Sequence, residues 1–186
     1  MTVQERLRPG KYRLTVDDYL RLAAGGTFGD RRTELIEGDI WIMSPAHTLH
    51  ARIQGALALA IGQALPGEAG LSLLIAPSVR LSDDTMPEPD LAVAVVDHSE
   101  AVLPGRDLRL AVEVADSTLA SDLSVKQSLY AGAGIPEYWV VDVRGVVIHQ
   151  MWAPEGENYR ERRTVVFGEP LVAATVAGLV VETTGL

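Results

Sequence analysis

Two stretches of the chain are apolar at nearly every position and are short enough to be β-strands. They are DLAVAVV, residues 90–96, and LRLAVEVA, residues 108–115. Strands that are apolar on both alternating sets of positions are typical of a sheet whose two faces are both covered. The pattern therefore predicts a central sheet with packed layers on each side.

Three segments have the spacing of apolar residues that is typical of helices. The first is predicted over residues 16–24, where Thr15 precedes acidic residues at the start and glycines follow the end. The second is predicted from about residue 46 to 65, and the third over residues 119–131. Helices placed between strands indicate an α/β sheet with helices packed against it.

The remaining strands are predicted from shorter alternating patterns and from turn residues. A hairpin or a tight strand-to-strand bend is expected at ELIEGDIWIMS around Gly38. Further strands are predicted at 72–82, 137–142 and 146–151, and short ones within about 158–183. The chain is thus expected to form one domain over residues 1–186, with a core at about 15–150 and additional C-terminal strands.

Composition narrows the classes of function. The chain has 186 residues, 47% of them hydrophobic, no cysteine and a net charge of −9. The lack of cysteine excludes disulfides and thiolate metal sites. The negative charge disfavours non-specific adhesion to nucleic acid, which depends on lysine and arginine. No signal segment or membrane-length apolar run is present, so a cytoplasmic protein without membrane contact is expected.

Glu113 stands in the middle of an apolar strand, where an isolated charge is costly unless a cation pairs with it. Strand alternation places Glu113 on a face lined mainly by alanines, and Asp90 begins its own strand on a similar face. Such small residues leave room for a ligand, or they let a helix pack closely. The opposite face of the Glu113 strand is predicted to hold Leu108, Leu110, Val112 and Val114.

Asp122, Lys126 and Tyr130 recur every four residues on the third predicted helix, so they are expected on one helical face. Taken alone, Asp122 and Lys126 are typical of a surface ion pair that stabilises by a few tenths of a kcal/mol.

Four motifs together resemble the Uma-type family of proposed endonucleases, within the PD-(D/E)XK restriction-endonuclease-like superfamily. They are ELIEGDIWIMSP at 34–45, EPDLAV at 88–93, VEVADST at 112–118, and D-x-x-x-K-x-x-x-YAGAGIPEYWVVD at 122–142. The resemblance implies a restriction-endonuclease-like mixed β-sheet core flanked by helices.

The resemblance also implies a set of functional residues. Asp90 and Glu113 would be the two acids that, with the main-chain carbonyl of Val114, hold Mg²⁺ or Mn²⁺. The superfamily's lysine position, two residues after the second acid, is Ala115 here, and the displaced lysine of the Uma-type family corresponds to Lys126. Oxygen ligands of this kind suit Mg²⁺, which keeps several of its waters.

Other candidates have two interpretations each. Glu34 matches the family's upstream glutamate, which binds a second metal or water, or it is an exposed hairpin acid. His47 and His50 contact phosphate, or they serve as capping or half-buried histidines. A local DNA-facing patch, or scattered solvated side chains, is expected for Arg31, Arg32 and Arg52.

The expected function is metal-dependent hydrolysis of phosphodiester bonds in DNA, with Asp90, Glu113, Lys126 and Glu34 as catalytic residues. A homodimer is expected, because nucleases of this superfamily often pair to cut two strands. Two alternatives stay open. One is a catalytically silent nuclease fold that binds nucleic acid or a protein partner, and the other is a phosphatase acting on small phosphate esters.

Overall fold

Twelve strands and a few helices follow one another along the part of the chain that the structure describes. The structure is a computed structural model and describes residues 10–45, 47–67, 70–97 and 99–186. In chain order the elements are α1 (Val16–Ala24), β1 (Thr33–Ile36), β2 (Asp39–Ile42), α2 (Thr48–Ala64), β3 (Leu71–Ile75), β4 (Val79–Arg80), β5 (Leu91–Val95), β6 (Leu103–Pro104), β7 (Leu108–Ala115), α3 (Leu119–Ser121), a π-helical turn (Asp122–Lys126), α4 (Gln127–Gly132), β8 (Glu137–Asp142), β9 (Val147–Glu155), β10 (Asn158–Val166), β11 (Leu171–Val172) and β12 (Val180–Val181).

Six strands form the main sheet, in the order β10-β9-β8-β7-β5-β3. Strands β7 and β8 run parallel, because a helical crossover connects them, and the other neighbouring pairs are antiparallel. Smaller two-stranded sheets join β1 to β2, β4 to β6 and β11 to β12. The predicted α/β fold with a mixed sheet and flanking helices is confirmed.

Both faces of the main sheet are covered. On one face α2 packs through Ile53, Leu57 and Ile61, together with the C-terminal segment, residues 171–186. On the other face the segment from α3 to α4 packs against the alanine-rich sides of β5 and β7. This confirms the two-sided burial predicted from the apolar runs. Among the described helices none is long and apolar enough to cross a membrane.

The helices begin and end close to the predicted positions. Thr15 caps α1 with its side chain, which accepts a hydrogen bond from the main-chain N–H of Asp18. The predicted second helix corresponds to α2, although residue 46 lies outside the described residues. The third predicted helix is also present, but its central turn, Asp122–Lys126, is π-helical.

Two predictions about strands were wrong. The strand expected at 72–82 is divided into β3 and β4, with Ala76 between them in the left-handed region at φ 46°. Leu108 does not lie opposite the Glu113 face, because it packs in the same cluster as Ala111. The cause is a shift in the β5–β7 register between Val93 and Ala94. The shift breaks the regular side-chain alternation at the start of β7, so Leu108 points to the other face of the sheet than the alternation predicts.

The β1–β2 hairpin is confirmed, and its turn depends on glycine. Gly38 has φ 77°, and a Cβ there would meet the Cβ of Arg13 at 2.6 Å. All four residues of β1 are buried, whereas Ile40, Trp41 and Ile42 of β2 are exposed. β1 is therefore the buried strand of the hairpin, and its Leu35 forms a β-bridge with Met86.

Candidate active site

Adjacent strands bring Asp90 and Glu113 to the same level of the sheet. Leu91 of β5 pairs with Val112 of β7 in an antiparallel register, so the residue before Leu91 lies beside the residue after Val112. The main-chain N–H of Val114 donates a hydrogen bond of 2.8 Å to Oδ2 of Asp90. The Asp90 carboxylate is thereby fixed against the strand that carries Glu113.

Helix α2 holds Asp90 from the other side. Nε2 of His50 lies 3.2 Å from Oδ1 of Asp90, and the side-chain amide of Gln54 donates to the Asp90 carbonyl at 2.9 Å. This hydrogen bond to Asp90 raises the pKa of His50, although partial burial acts against it. His50 is thus a half-buried histidine that contacts a candidate metal ligand. His47 is the N-cap residue of α2, but its side chain makes no capping hydrogen bond.

Lys126 points into the protein from the π-helical turn and is only 8% exposed. Its Nζ lies 3.0 Å from Oε1 of Glu113 and 3.0 Å from Oε1 of Glu34. The amine therefore bridges the sheet and the hairpin. Because a lysine has three N–H donors, these two contacts leave a third N–H for another acceptor.

The surface ion pair expected between Asp122 and Lys126 was wrong. Among the described residues Lys126 pairs with Glu113 and Glu34, while Asp122 is buried and accepts a hydrogen bond from the Thr118 hydroxyl. The physical reason is the π-helical turn, whose i→i+5 hydrogen bonding widens the turn so that residues four apart no longer stack.

Glu34 is a buried acid, so the interpretation as an exposed hairpin residue was wrong. Its side chain is 1% exposed. Oε1 of Glu34 accepts from the main-chain N–H of Glu88 at 2.8 Å as well as from Lys126. The hairpin thus supplies a second carboxylate that orients the lysine.

The charged groups around Glu113 include more acids than cations. Burial raises the pKa of Glu113 well above its ordinary value, and the nearby acids Asp90, Glu34 and Asp122 add to the effect, whereas Lys126 opposes it. Burial alone would lower the pKa of Lys126, but the carboxylates of Glu113 and Glu34 raise it. The lysine therefore stays cationic among several carboxylates.

One cleft of about 70 Å³ is lined by Asp90, Glu113, Val114, Lys126 and His50. Among the described residues no three acidic, histidine or cysteine side chains are grouped so as to hold a metal ion. The expected ligand set is smaller, two carboxylates and a main-chain carbonyl. Its oxygen donors and its excess of negative charge suit Mg²⁺ or Mn²⁺, with water as the remaining ligands.

Tyr130 was not predicted to have a role, yet its hydroxyl donates a hydrogen bond of 3.0 Å to Oε1 of Glu113. The signal in the sequence was that Tyr130 follows Lys126 by four residues, a spacing that places both side chains on one helical face. Of the three arginines considered for a DNA-facing patch, Arg32 alone lines the cleft, and it is bonded to Glu88 at 3.3 Å. Arg52 instead donates to the carbonyl of Gly185.

Comparison with known proteins supports the fold and the family. A family model described as "Uma2: Putative restriction endonuclease" matches residues 16–184. Among solved structures, one similar chain is a crystal structure described as a putative nuclease belonging to DUF820 from Anabaena variabilis ATCC 29413. It has a TM-score of 0.69 and 15% sequence identity, over 91% of this chain and 95% of that chain. No curated protein matches the chain.

Proposed function

We propose that this chain, which belongs to the Uma2 family of restriction endonuclease-like proteins, is a metal-dependent endonuclease that hydrolyses phosphodiester bonds in DNA. The observation that carries the proposal is the contact of Lys126 Nζ with Glu113, 3.0 Å long, inside a cleft that Asp90 also lines. Two acids can hold a divalent cation that activates water, and a lysine beside them can stabilise the charge on a phosphoryl group, so the combination suits phosphodiester hydrolysis.

Asp90, Glu113 and the carbonyl of Val114 are the proposed ligands of Mg²⁺ or Mn²⁺. A bound divalent cation lowers the pKa of water and offsets the charge that builds on phosphate oxygens. The support for this assignment is the donor chemistry, because every proposed ligand is a hard oxygen. A second support is the charge of the cleft, because its described lining contains more carboxylates than cations.

Lys126 is proposed to act on the scissile phosphate. With two of its N–H groups directed at Glu113 and Glu34, its remaining N–H is available for a phosphate oxygen or for the attacking water. In the reaction the water oxygen bonds to phosphorus and one of its O–H bonds breaks. The bond from phosphorus to one ester oxygen also breaks, and the proton that the water loses goes to that leaving oxygen. Glu34 and Tyr130 are proposed as positioning residues for the lysine and Glu113.

A catalytically silent protein that binds nucleic acid is the second candidate. The observation in its favour is that, among the described residues, both cationic side chains lining the cleft, Arg32 and Lys126, are already bonded to acids. Such a protein would bind DNA without cutting it. A phosphatase, in contrast, would hydrolyse small phosphate esters and leave plasmid intact.

The test is cleavage of supercoiled plasmid by purified protein, in EDTA and with added Mg²⁺ or Mn²⁺. We expect nicking or linearisation with metal only, and we expect Lys126→Ala to abolish it while the Mn²⁺-dependent rise in melting temperature persists. Lys11→Ala is the matched control, because Lys11 pairs with Asp39 at the surface, with its side chain 67% exposed. Normal cleavage by Lys126→Ala, with contaminating nuclease excluded, would remove Lys126 from the mechanism.

A further inference from the structure

A second cavity, of about 130 Å³, lies next to the catalytic cleft. It is formed between the β1–β2 hairpin and the π-helical turn, and its walls include Ile36, Trp41 and Val125. Lys126 and Asp122 line both cavities. The two spaces therefore share Lys126, whose amine we assign to the scissile phosphate.

Trp41 is placed here by strand pairing. It lies directly across from Glu34 in the β1–β2 register, so its side chain is on the same face of the hairpin as the acid that bonds Lys126. Trp41 is nevertheless 42% exposed, and Val125 on the facing turn is 37% exposed. An indole left partly in water beside a polar site offers a flat surface for another ring.

The electrostatics of the chain explain why such a surface would be needed. The net charge is −9, and in the part of the chain that the structure describes the two cations that line the catalytic cleft, Arg32 and Lys126, are both paired with acids. We therefore expect phosphate contacts to contribute little affinity for nucleic acid. Stacking of bases on an aromatic side chain does not depend on charge and contributes strongly to single-strand binding.

We propose that Trp41 stacks with an unpaired nucleobase next to the phosphate at Lys126, so that the site selects single-stranded or locally unpaired nucleic acid. The inference rests on the proposed function, because it takes the catalytic cleft as the phosphate position. Bases in an intact duplex expose only their edges in the grooves, so a duplex cannot offer a ring face to Trp41. A base freed from its stack can do so.

The experiment measures binding by fluorescence anisotropy in EDTA, where metal-dependent cleavage is prevented. The probes are a labelled single-stranded oligonucleotide and the same strand annealed to its complement. The proteins are wild type, Trp41→Leu, Trp41→Phe and, as control, Leu59→Ala, since Leu59 is 63% exposed on α2 and lines neither cavity. Melting temperature and circular dichroism check that each variant is folded.

We expect Trp41→Leu to weaken single-strand binding roughly 5- to 150-fold, the range that corresponds to the loss of one stacked base. Trp41→Phe should retain part of the affinity, and Leu59→Ala should bind like wild type. The dependence of affinity on salt should be equal in wild type and Trp41→Leu, because no phosphate contact is removed. Duplex binding should be weaker in wild type and insensitive to the substitution.

Equal single-strand binding by wild type and Trp41→Leu would overturn the inference, as would a wild type that prefers duplex. It would also be overturned if Trp41→Leu changed only the oligomeric state in analytical ultracentrifugation, because the surface would then contact a second copy. Plasmid cleavage that survives Trp41→Leu together with unchanged binding would refute this inference and leave the nuclease proposal intact. Trp41-dependent binding without cleavage of any strand would support this inference and refute the nuclease proposal.

Discussion

Two buried glutamates on neighbouring parallel strands have opposite surroundings. Glu137, at the start of β8, is fully buried and is surrounded by neutral donors. Its carboxylate accepts hydrogen bonds from the Trp139 indole and the Gln150 amide, both at 2.6 Å, and from the main-chain N–H groups of Ala174 and Thr175. Glu113, on β7, faces a cleft and lies close to other acids.

The difference separates a structural carboxylate from the one that we propose to be functional. The donors around Glu137 come from β8, β9 and the segment after β11, so this acid ties the C-terminal segment to the main sheet. Around Glu113 the donors are Lys126 and Tyr130, and the nearby carboxylates disfavour its charge. A buried acid that is saturated with neutral donors needs no ligand, whereas one among like charges beside a cleft favours a bound cation.

The largest expected effect is the loss of folding stability when Glu137 is replaced. Glu137→Gln places an amide NH₂ where two main-chain N–H groups now donate, and it leaves buried donors without an acceptor. We expect the free energy of unfolding to fall by about 1–3 kcal/mol for each buried donor left without an acceptor, as measured in urea titrations. Glu161→Gln, on the exposed side of β10, is the control. A loss no larger than that of the control would mean that Glu137 is not the link between the sheet and the C-terminal segment.

The second prediction concerns the acid in the cleft and its response to metal. Wild type should gain about 2.7 kcal/mol of stability when Mn²⁺ is a hundredfold above its dissociation constant, because only the folded state presents the ligands. Asp90→Asn and Glu113→Gln should lose most of this gain, and Glu161→Gln should keep it. The measurement is a thermal melt of each protein across a Mn²⁺ titration. A wild type that is indifferent to Mn²⁺ would leave Glu113 as part of a structural ion pair.

The third and smallest effect is the dependence of stability on pH without metal. Because the pKa of Glu113 is raised in the folded state, its contribution to stability is present below the unfolded value of 4.5 and is lost as pH rises through the folded pKa. Each pKa unit corresponds to about 1.4 kcal/mol. In EDTA, wild type should therefore lose stability relative to Glu113→Gln as pH rises above 4.5.

Urea titrations of both proteins at several pH values test this third prediction. The raised pKa of His50 acts in the same direction, but it is common to wild type and Glu113→Gln, so the difference between them isolates the acid. Parallel curves for the two proteins would contradict the prediction. Glu113→Gln should also melt in EDTA at the same temperature as wild type or higher, since neutralising one of several crowded carboxylates relieves repulsion.

The local pattern of apolar and polar residues was sufficient to predict most of the architecture. The apolar runs at 90–96 and 108–115 predicted β5 and β7 with both faces covered, and the turn at Gly38 predicted the hairpin. These features were readable because strand and helix periods depend on neighbouring residues alone. The motif residues Asp90, Glu113 and Lys126 were selected from sequence, and the structure brings their side chains to one cleft.

Features that depend on distant parts of the chain were not predictable in the same way. The sequence by itself determined which side chains carry charge and which segments are strands or helices. Only the tertiary structure decided that Lys126 pairs with Glu34, 92 residues away, and not with Asp122 on its own helix. The reason is that a π-helical turn redirects the amine, and that the buried β1 strand presents the acid to it. Pairing of this kind depends on how elements pack, which no local spacing encodes.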